Sequence, residues 1–347
     1  MKKRGMELNA SVIGAASVVG YKEHEGPLGN LFDYYDDKKN GGDRFGQDTF
    51  EKAENEMQRI ALNTALEKGG VREEALGALF AGDLLNQCVG SAYGLLDFNV
   101  PYFGLYGACS TAAEGLMLAA ALVTHDVYDC CGAVASSHNC TAERQYRTPL
   151  EYGGQRPPTA QWTVTGAGAF ILGKPREACA RITYGMPGIA MEKGISDTAN
   201  MGAAMAPAAA DTLLRYLDES GREASDFDLI ATGDLGTEGG AILCDLMRER
   251  GYDIRENYND CGEMIYCRHT QDVHAGGSGC GCSAVVSASY LIPKLARGEL
   301  RRILLIGTGA MMSPDSIKQG QTIPAIAHLL VLESPSAGAS PTTGKEQ

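Results

Sequence analysis

Leu79-Phe-Ala-Gly-Asp-Leu84 returns later in the chain as Ile230-Ala-Thr-Gly-Asp-Leu235, an apolar run that ends both times on Gly-Asp-Leu. Working outward, Gly107-Ala-Cys-Ser110 is echoed by Cys280-Gly-Cys-Ser283, Gly132-Ala-Val-Ala-Ser136 by Leu304-Leu-Ile-Gly-Thr-Gly309, and Ala169-Phe-Ile-Leu-Gly-Lys-Pro175 by Leu329-Leu-Val-Leu-Glu-Ser-Pro335. Any α/β chain yields a chance match of small and apolar residues. Four matches in the same order argue instead for two similar halves, placed at 1–185 and 186–335. The remainder, 336–347, is a tail of Ser, Ala, Gly, Pro, Thr and charge that cannot bury much surface and is expected to be disordered.

Between the repeated strings, apolar runs alternate with stretches of helical period, the signature of an α/β protein. Phe50, Ala53, Met57, Ile60 and Ala61 share one helix face over residues 48–68, with Asp48 as N-cap, Glu51 three residues on and Gly69 closing the end. Strands are expected near 76–82, 102–106, 131–136 and 165–172, and a second helix over 111–123. Ser11 to Gly20, rich in β-branched residues, reads as a first strand. Glu7 and Asn9 interrupt it too early for a signal peptide. No segment approaches the roughly 18 uninterrupted apolar residues of a membrane span, so a soluble protein is expected.

Charge and cysteine content narrow the function. With 30 Lys+Arg against 43 Asp+Glu the chain carries a formal charge of −13 and has no basic run beyond Lys2-Lys3-Arg4, which excludes a simple nucleic-acid binder. Eleven cysteines cannot all pair within the chain and fit a reducing compartment. The 44 glycines cluster beside apolar strands, where backbones pack closely. No Gly-x4-Gly-Lys-Ser/Thr and no Gly-x-Gly-x-x-Gly after the first strand is present, which disfavours nucleotide binding.

Cys109 is the sharpest chemical feature. It lies between a predicted strand and a predicted helix, where unpaired N–H groups would favour a thiolate. The competing reading is a buried structural thiol, because a nucleophile also needs a base and an oxyanion site. His138, His274 and His328 are the candidates for a base, each individually more consistent with a structural histidine. Cys261, Cys267, His269 and His274 match no familiar zinc spacing, and no metal site is assigned. The segment 138–161 carries His138, Asn139, Arg144, Arg147, Glu151, Tyr152 and Arg156. Its three arginines offer forked donors for a carboxylate, or else simply a solvated loop.

The duplicated halves and the cysteine at a strand-to-helix turn resemble the thiolase fold shared by thiolases and β-ketoacyl synthases, and Thr165-Gly-Ala-Gly-Ala169 is similar to their glycine-rich strand entry. More specifically, Ala81-Gly-Asp-Leu-Leu-Asn-Gln87, Gly107-Ala-Cys-Ser-Thr111, Ser136-Ser-His-Asn139 with Thr141-Ala-Glu-Arg-Gln145, Glu151-Tyr-Gly-Gly-Gln155, Met205-Ala-Pro-Ala-Ala-Ala-Asp211 and Gly276-Gly-Ser-Gly-Cys280 resemble the stage V sporulation protein AD family.

That resemblance implies an α/β, thiolase-like architecture of two pseudo-symmetric halves in αβαβα layers, and a homodimer. It implies a forespore protein, peripheral to the spore inner membrane, that works with other stage V sporulation A proteins. The ligand it implies is dipicolinic acid, expected as the calcium chelate, taken up during spore formation and released in germination. No cofactor is expected beyond calcium carried with the ligand. Condensing enzymes of this fold use a cysteine with two second-half donors, His and His or Asn, which the internal alignment places at Asp234 and in Gly277-Ser-Gly279. An ionised aspartate cannot donate to an oxyanion, so a non-catalytic binder is expected. The alternatives are an active acyltransferase or condensing enzyme using Cys109, and a scaffold with no ligand. The expected ligand contacts are Cys109, His138, Asn139, Arg144, Ser278 and His328, with Asp83 and Asp234 as oxygen ligands should calcium enter.

Overall fold

The computed structural model describes residues 3–37, 43–146, 156–335 and 337. The strands are β1 (Met6–Val19), β2 (Tyr34–Tyr35), β3 (Ala78–Gly82), β4 (Tyr102–Gly104), β5 (Cys130–Ser137), β6 (Trp162–Thr163), β7 (Gly166–Gly173), β8 (Arg181–Met186), β9 (Leu229–Thr232), β10 (Tyr258–Asp260), β11 (Gly277–Ser278), β12 (Arg302–Ala310) and β13 (Ala325–Glu333). The main sheet runs β10-β9-β12-β13-β8-β1-β7-β5-β3-β4, with β2 parallel to the end of β1. Outward from the central antiparallel pair β1 and β8, the first five strands and the last five follow one plan: β1-β7-β5-β3-β4 is matched by β8-β13-β12-β9-β10.

The repeat read from the sequence therefore maps strand onto strand. Gly-Asp-Leu follows β3 and then β9, and the Cys-containing strings open two central helices. Because β8 heads the second series, the division at 185/186 falls inside that strand. Thr49, not Asp48, caps the helix Phe50–Gly69 by accepting from the Lys52 amide at 3.3 Å, and Gly70, not Gly69, ends it with left-handed φ of 60°. The tail from 336 lies, apart from residue 337, outside the described residues.

Three apolar clusters fill the spaces between the layers. The helix Phe50–Gly69 covers the outer face of the first half-sheet through Met57, Leu62 and Leu66. Met201–Ser220 covers the second through Met205, Leu213 and Leu217, with Gly236–Glu249 packed beside it. Between the half-sheets lie the helices Thr111–Thr124 and Cys280–Val286, the latter continued by a π turn, Ser287–Leu291, into Ile292–Ala296. The small residues of β7 let this inner layer approach: a Cβ on Gly168 would come within 2.6 Å of the Ala284 carbonyl carbon.

Polar groups are buried as well. On the inward face of Phe50–Gly69, Glu54 accepts from Ser136 Oγ at 2.8 Å and Thr141 Oγ1 at 3.0 Å, close to the buried Asp83. Burial first, then Asp83, raises its pKa to about 8. Glu23, against Thr165 and Tyr266, is raised to about 7 by burial and then Asp43. Both carboxyls hold protons more tightly when folded than when unfolded. The stability they contribute is full below the ordinary carboxyl range and is lost as pH rises through about 7 to 8. Urea midpoints measured across that window should fall with rising pH, and Glu54→Gln should flatten the fall.

Candidate functional site

Cys109 sits in the 3-10 turn Ala108–Ser110, between β4 and the helix Thr111–Thr124. Ala108 takes a left-handed φ of 51°, at a cost on the order of 1–2 kcal/mol for a residue with a side chain. Bonds to backbone carbonyls hold the turn: Ser110 Oγ donates to Gly107 O at 2.6 Å, and Thr111 Oγ1 and Cys280 Sγ donate to Ala108 O at 2.7 and 2.9 Å. Strain over-determined in this way is typical of functional positions.

The second half delivers two groups to the same place. Ser278 lies on β11, in register with Thr163 of β6, and its Oγ is 4.0 Å from Cys109 Sγ. Gly279, at φ 104°, turns the chain from β11 into the helix Cys280–Val286. Asp234, just past β9, accepts through its carboxylate from Ser278 Oγ at 2.9 Å, Gly279 N at 3.0 Å and Thr308 Oγ1 at 2.7 Å. Gln161 Nε2 ties Asp234 O to Gly277 O, at 2.8 Å each. Burial, followed by the Asp234 charge, pushes the Cys109 thiol well above its ordinary value. Proximity to a helix start does not outweigh those two effects, in keeping with the buried-thiol reading of Cys109.

A cavity of about 310 Å³ opens beside this pair, with Cys109, Tyr146, Arg156, Gln161, Ser278 and Met312 in its wall. Of the residues expected from sequence, the structure brings Cys109 and Ser278 to the cavity, and Asp234 directly behind Ser278. The others do not line it. His138 is buried, its Nε2 donating to Asp43 O at 2.9 Å and its Nδ1 accepting from Cys140 N at 3.2 Å. Asn139 N donates to Thr165 Oγ1 at 3.1 Å. Arg144 is paired with Glu51. Asp83 accepts from Leu85 N, Ser91 N and Ser91 Oγ. His328, on β13, accepts from Gly188 N at 3.1 Å and burial lowers its pKa to about 4. His274 meets Pro157 O at 2.8 Å and Asp272 at 3.1 Å. None of the three histidines considered as a base therefore reaches the wall beside Cys109.

Among the described residues no three His, Cys, Asp or Glu side chains gather as a metal-ligand set, and Cys261 is buried while Cys267 is part-exposed. Arg147, Glu151, Tyr152 and the block 151–155 lie outside the described residues. Sequence reasoning missed Gln161, Tyr146 and Met312, which carry no motif. It found the arginine-bearing segment but chose Arg144 where the wall holds Arg156. That side chain is 8% exposed, pairs with Asp272 at 2.7 Å, stacks its guanidinium 4.7 Å from the centre of the Trp162 ring, and has its Nη1 buried with no partner among the described residues. An unmet buried donor costs about 1–3 kcal/mol.

The fold has known counterparts. An OleA variant from Xanthomonas campestris bound to cerulenin superposes with a TM-score of 0.57 at 14% identity, over 93% of this chain and 97% of that one. A 3-oxoacyl-(acyl carrier protein) synthase III from Xanthomonas oryzae gives 0.57 at 15% identity, over 94% and 100%. The corresponding Aquifex aeolicus synthase gives 0.55 at 12%, over 92% and 99%. At such low identity the likeness shows the thiolase-like fold alone. In sequence, stage V sporulation protein AD of Bacillus subtilis is 44% identical over 329 residues, 95% of each chain. The family profile for stage V sporulation protein AD matches residues 2–333, and with the duplicated halves and the turn at Cys109 in place, the chain belongs to that sporulation family.

Proposed function

We propose that the protein binds dipicolinate, pyridine-2,6-dicarboxylate, in the cavity beside Cys109 and performs no acyl chemistry there. The observation that carries the non-catalytic reading is the Cys109, Ser278, Asp234 arrangement. Ser278 donates its proton to Asp234, Asp234 is an acceptor, and the thiol stays protonated. An oxyanion forming on a thioester at Cys109 would meet acceptors where it needs donors. The cavity volume sits at the lower end of the about 300–1,000 Å³ usual for small-molecule sites, in keeping with a compact planar acid.

We infer binding of the free acid rather than the calcium chelate expected from sequence, because the carboxylates assigned to calcium are already committed. The carboxylate oxygens of Asp83 and Asp234 are both taken up by protein donors, while the wall carries one guanidinium, Arg156, paired with Asp272, and one carboxylate, Glu143. Calorimetry of the full chain with dipicolinate should give saturable binding that excess chelator leaves unchanged or tightens. Absence of heat, or binding that requires calcium, would count against this reading.

The competing acyl-transfer reading requires a reactive Cys109. Cys267 is an internal control, since its bond from Thr270 lowers its pKa. Iodoacetamide at neutral pH should label Cys267 well before Cys109, and acyl-CoA should leave no adduct on Cys109 by mass spectrometry.

In the cell, binding of this kind supports dipicolinate uptake into the developing spore and its release in germination, alongside the other stage V sporulation A proteins. Attachment to the inner membrane would be peripheral: among the described residues no helix is long and apolar enough to cross a membrane. A second copy fits the free edge at β4, where Tyr93, Leu96, Tyr102, Phe103 and Tyr106 are exposed, an unusual concentration of apolar surface for a sheet edge left unpaired. Sedimentation should report a dimer, and Phe103→Asp should shift it toward monomer without unfolding it.

A further inference from the structure

We propose that Glu23 and Asp43 form a clasp behind the cavity, closed while one proton is shared by the two carboxyls and open once both are ionised, so that the cavity wall responds to pH. In its effect on a ligand the clasp rests on reading the cavity as a dipicolinate site. Glu23, on the short helix Tyr21–His24, is fully buried. Its Oε1 accepts from Thr165 N at 3.0 Å and from Tyr266 Oη, while Oε2 is buried with no partner among the described residues. Asp43 crowds the same spot: a Cβ built on Gly20 would stand 2.7 Å from Glu23 Oε2 and 3.0 Å from Asp43 Oδ1. Two carboxylates sharing a site repel each other, and a proton on one turns an orphan acceptor into a donor for the other. Burial, followed by the Asp43 charge, raises the Glu23 pKa to about 7.

Both members hold wall segments. Asp43 O accepts from His138 Nε2 at 2.9 Å, and His138 leads into the helix Asn139–Tyr146, whose Ala142, Glu143 and Tyr146 line the cavity. Glu23 holds Thr165, two residues beyond Thr163 in the wall, and Thr165 Oγ1 accepts from Asn139 N at 3.1 Å, which joins the two segments. Asp43 has a left-handed φ of 52°, and its Oδ1 accepts from Tyr21 N at 2.8 Å, so its place depends on the helix that carries Glu23. The cations nearby are engaged elsewhere. Lys22 Nζ donates to Asp272 O at 2.9 Å and lies over the Trp162 ring, Arg44 donates to Asp48 O at 2.6 Å and lies over Phe50, and Arg144 pairs with Glu51. Burial lowers the His138 pKa and raises those of Cys140 and Tyr266, so these neighbours stay neutral. With the folded Glu23 value above the ordinary carboxyl range, the clasp is closed at lower pH and opens as pH rises through about 7.

The test compares the parent with Glu23→Gln and Asp43→Asn at about pH 6 and about pH 8, on either side of the Glu23 transition. In the ligand-free full chain, amide exchange of Asn139–Tyr146, corrected for its intrinsic rate, should show protection lost at the higher pH. Dipicolinate, ionised at both carboxyls throughout, should by calorimetry bind the parent about tenfold more weakly there, the factor by which the protonated fraction of a group titrating near 7 falls. Glu23→Gln keeps an acceptor for Thr165 N and gains a permanent donor for Asp43, so protection and affinity should both stay level. Asp43→Asn removes the repelling charge and should flatten both as well, which keeps the test open should the glutamine protein be unstable. Glu54, which holds Thr141 on the same helix and titrates at about 8, is present in all three proteins, so a difference between them belongs to the clasp. Protection level with pH in the parent, or as pH-sensitive in Glu23→Gln as in the parent, overturns the clasp and leaves the dipicolinate reading standing. Glu23-dependent protection with equal dipicolinate affinity at both pH values overturns its control of binding. Glu23-dependent protection with no dipicolinate heat at either pH overturns the dipicolinate reading and leaves the clasp.

Discussion

Asp234 arrives at the end of β9 with its carboxylate accepting from the Ser278 hydroxyl, the Gly279 amide and the Thr308 hydroxyl, so three separate segments of the second half are tied through one buried side chain. The consequences reach the first half as well. Ser278 is drawn to within 4.0 Å of Cys109, Gly279 is held in the turn that starts the inner helix, and burial together with the Asp234 charge keeps the thiol protonated. Removing the carboxylate would leave three buried donors unmet on the two segments that Asp234 joins to its own, which is why the site and the inner packing cannot be separated energetically.

Much of this architecture is legible in the residues alone. The two Gly-Asp-Leu strings locate equivalent strand ends because a buried parallel strand must read as a continuous apolar run and must then turn. Their aspartates nevertheless diverge in role. Asp83 caps a loop through Leu85 and Ser91, while Asp234 reaches across to β11 and β12, and no local pattern separates the two. The inner helices are legible in part, through Cys109 and Cys280. Their closeness to β7 emerges only where Gly168 meets Ala284, because small residues announce close approach without naming the partner.

The choice of Arg144 over Arg156 shows where sequence reasoning stops. Both lie in the same polar segment, and both are guanidinium groups in an acidic chain. Arg144 falls on a helix beside Glu51, an acid far earlier in the chain, and is neutralised there. Arg156 falls beside Trp162 and is shielded from water by it. Histidines tell the same story: His138 and His328 read as pocket residues because they follow or lie in strands, yet burial and backbone partners make them neutral packing elements.

The central position of β1 bears on how the chain is made. Its long neighbours are β7, at residues 166–173, and β8, at residues 181–186, so apart from its last two residues, which β2 pairs early, the earliest strand to leave the ribosome must wait for about half of the polypeptide before its edges are paired. At translation speeds of about 5–20 residues per second that interval is on the order of ten seconds. Over that interval the run Ala10–Val19 can be covered by the helices Phe50–Gly69 and Thr111–Thr124, which pack on it and emerge before β7. Vectorial synthesis thus leaves the middle of this sheet to be closed late, after its covering helices.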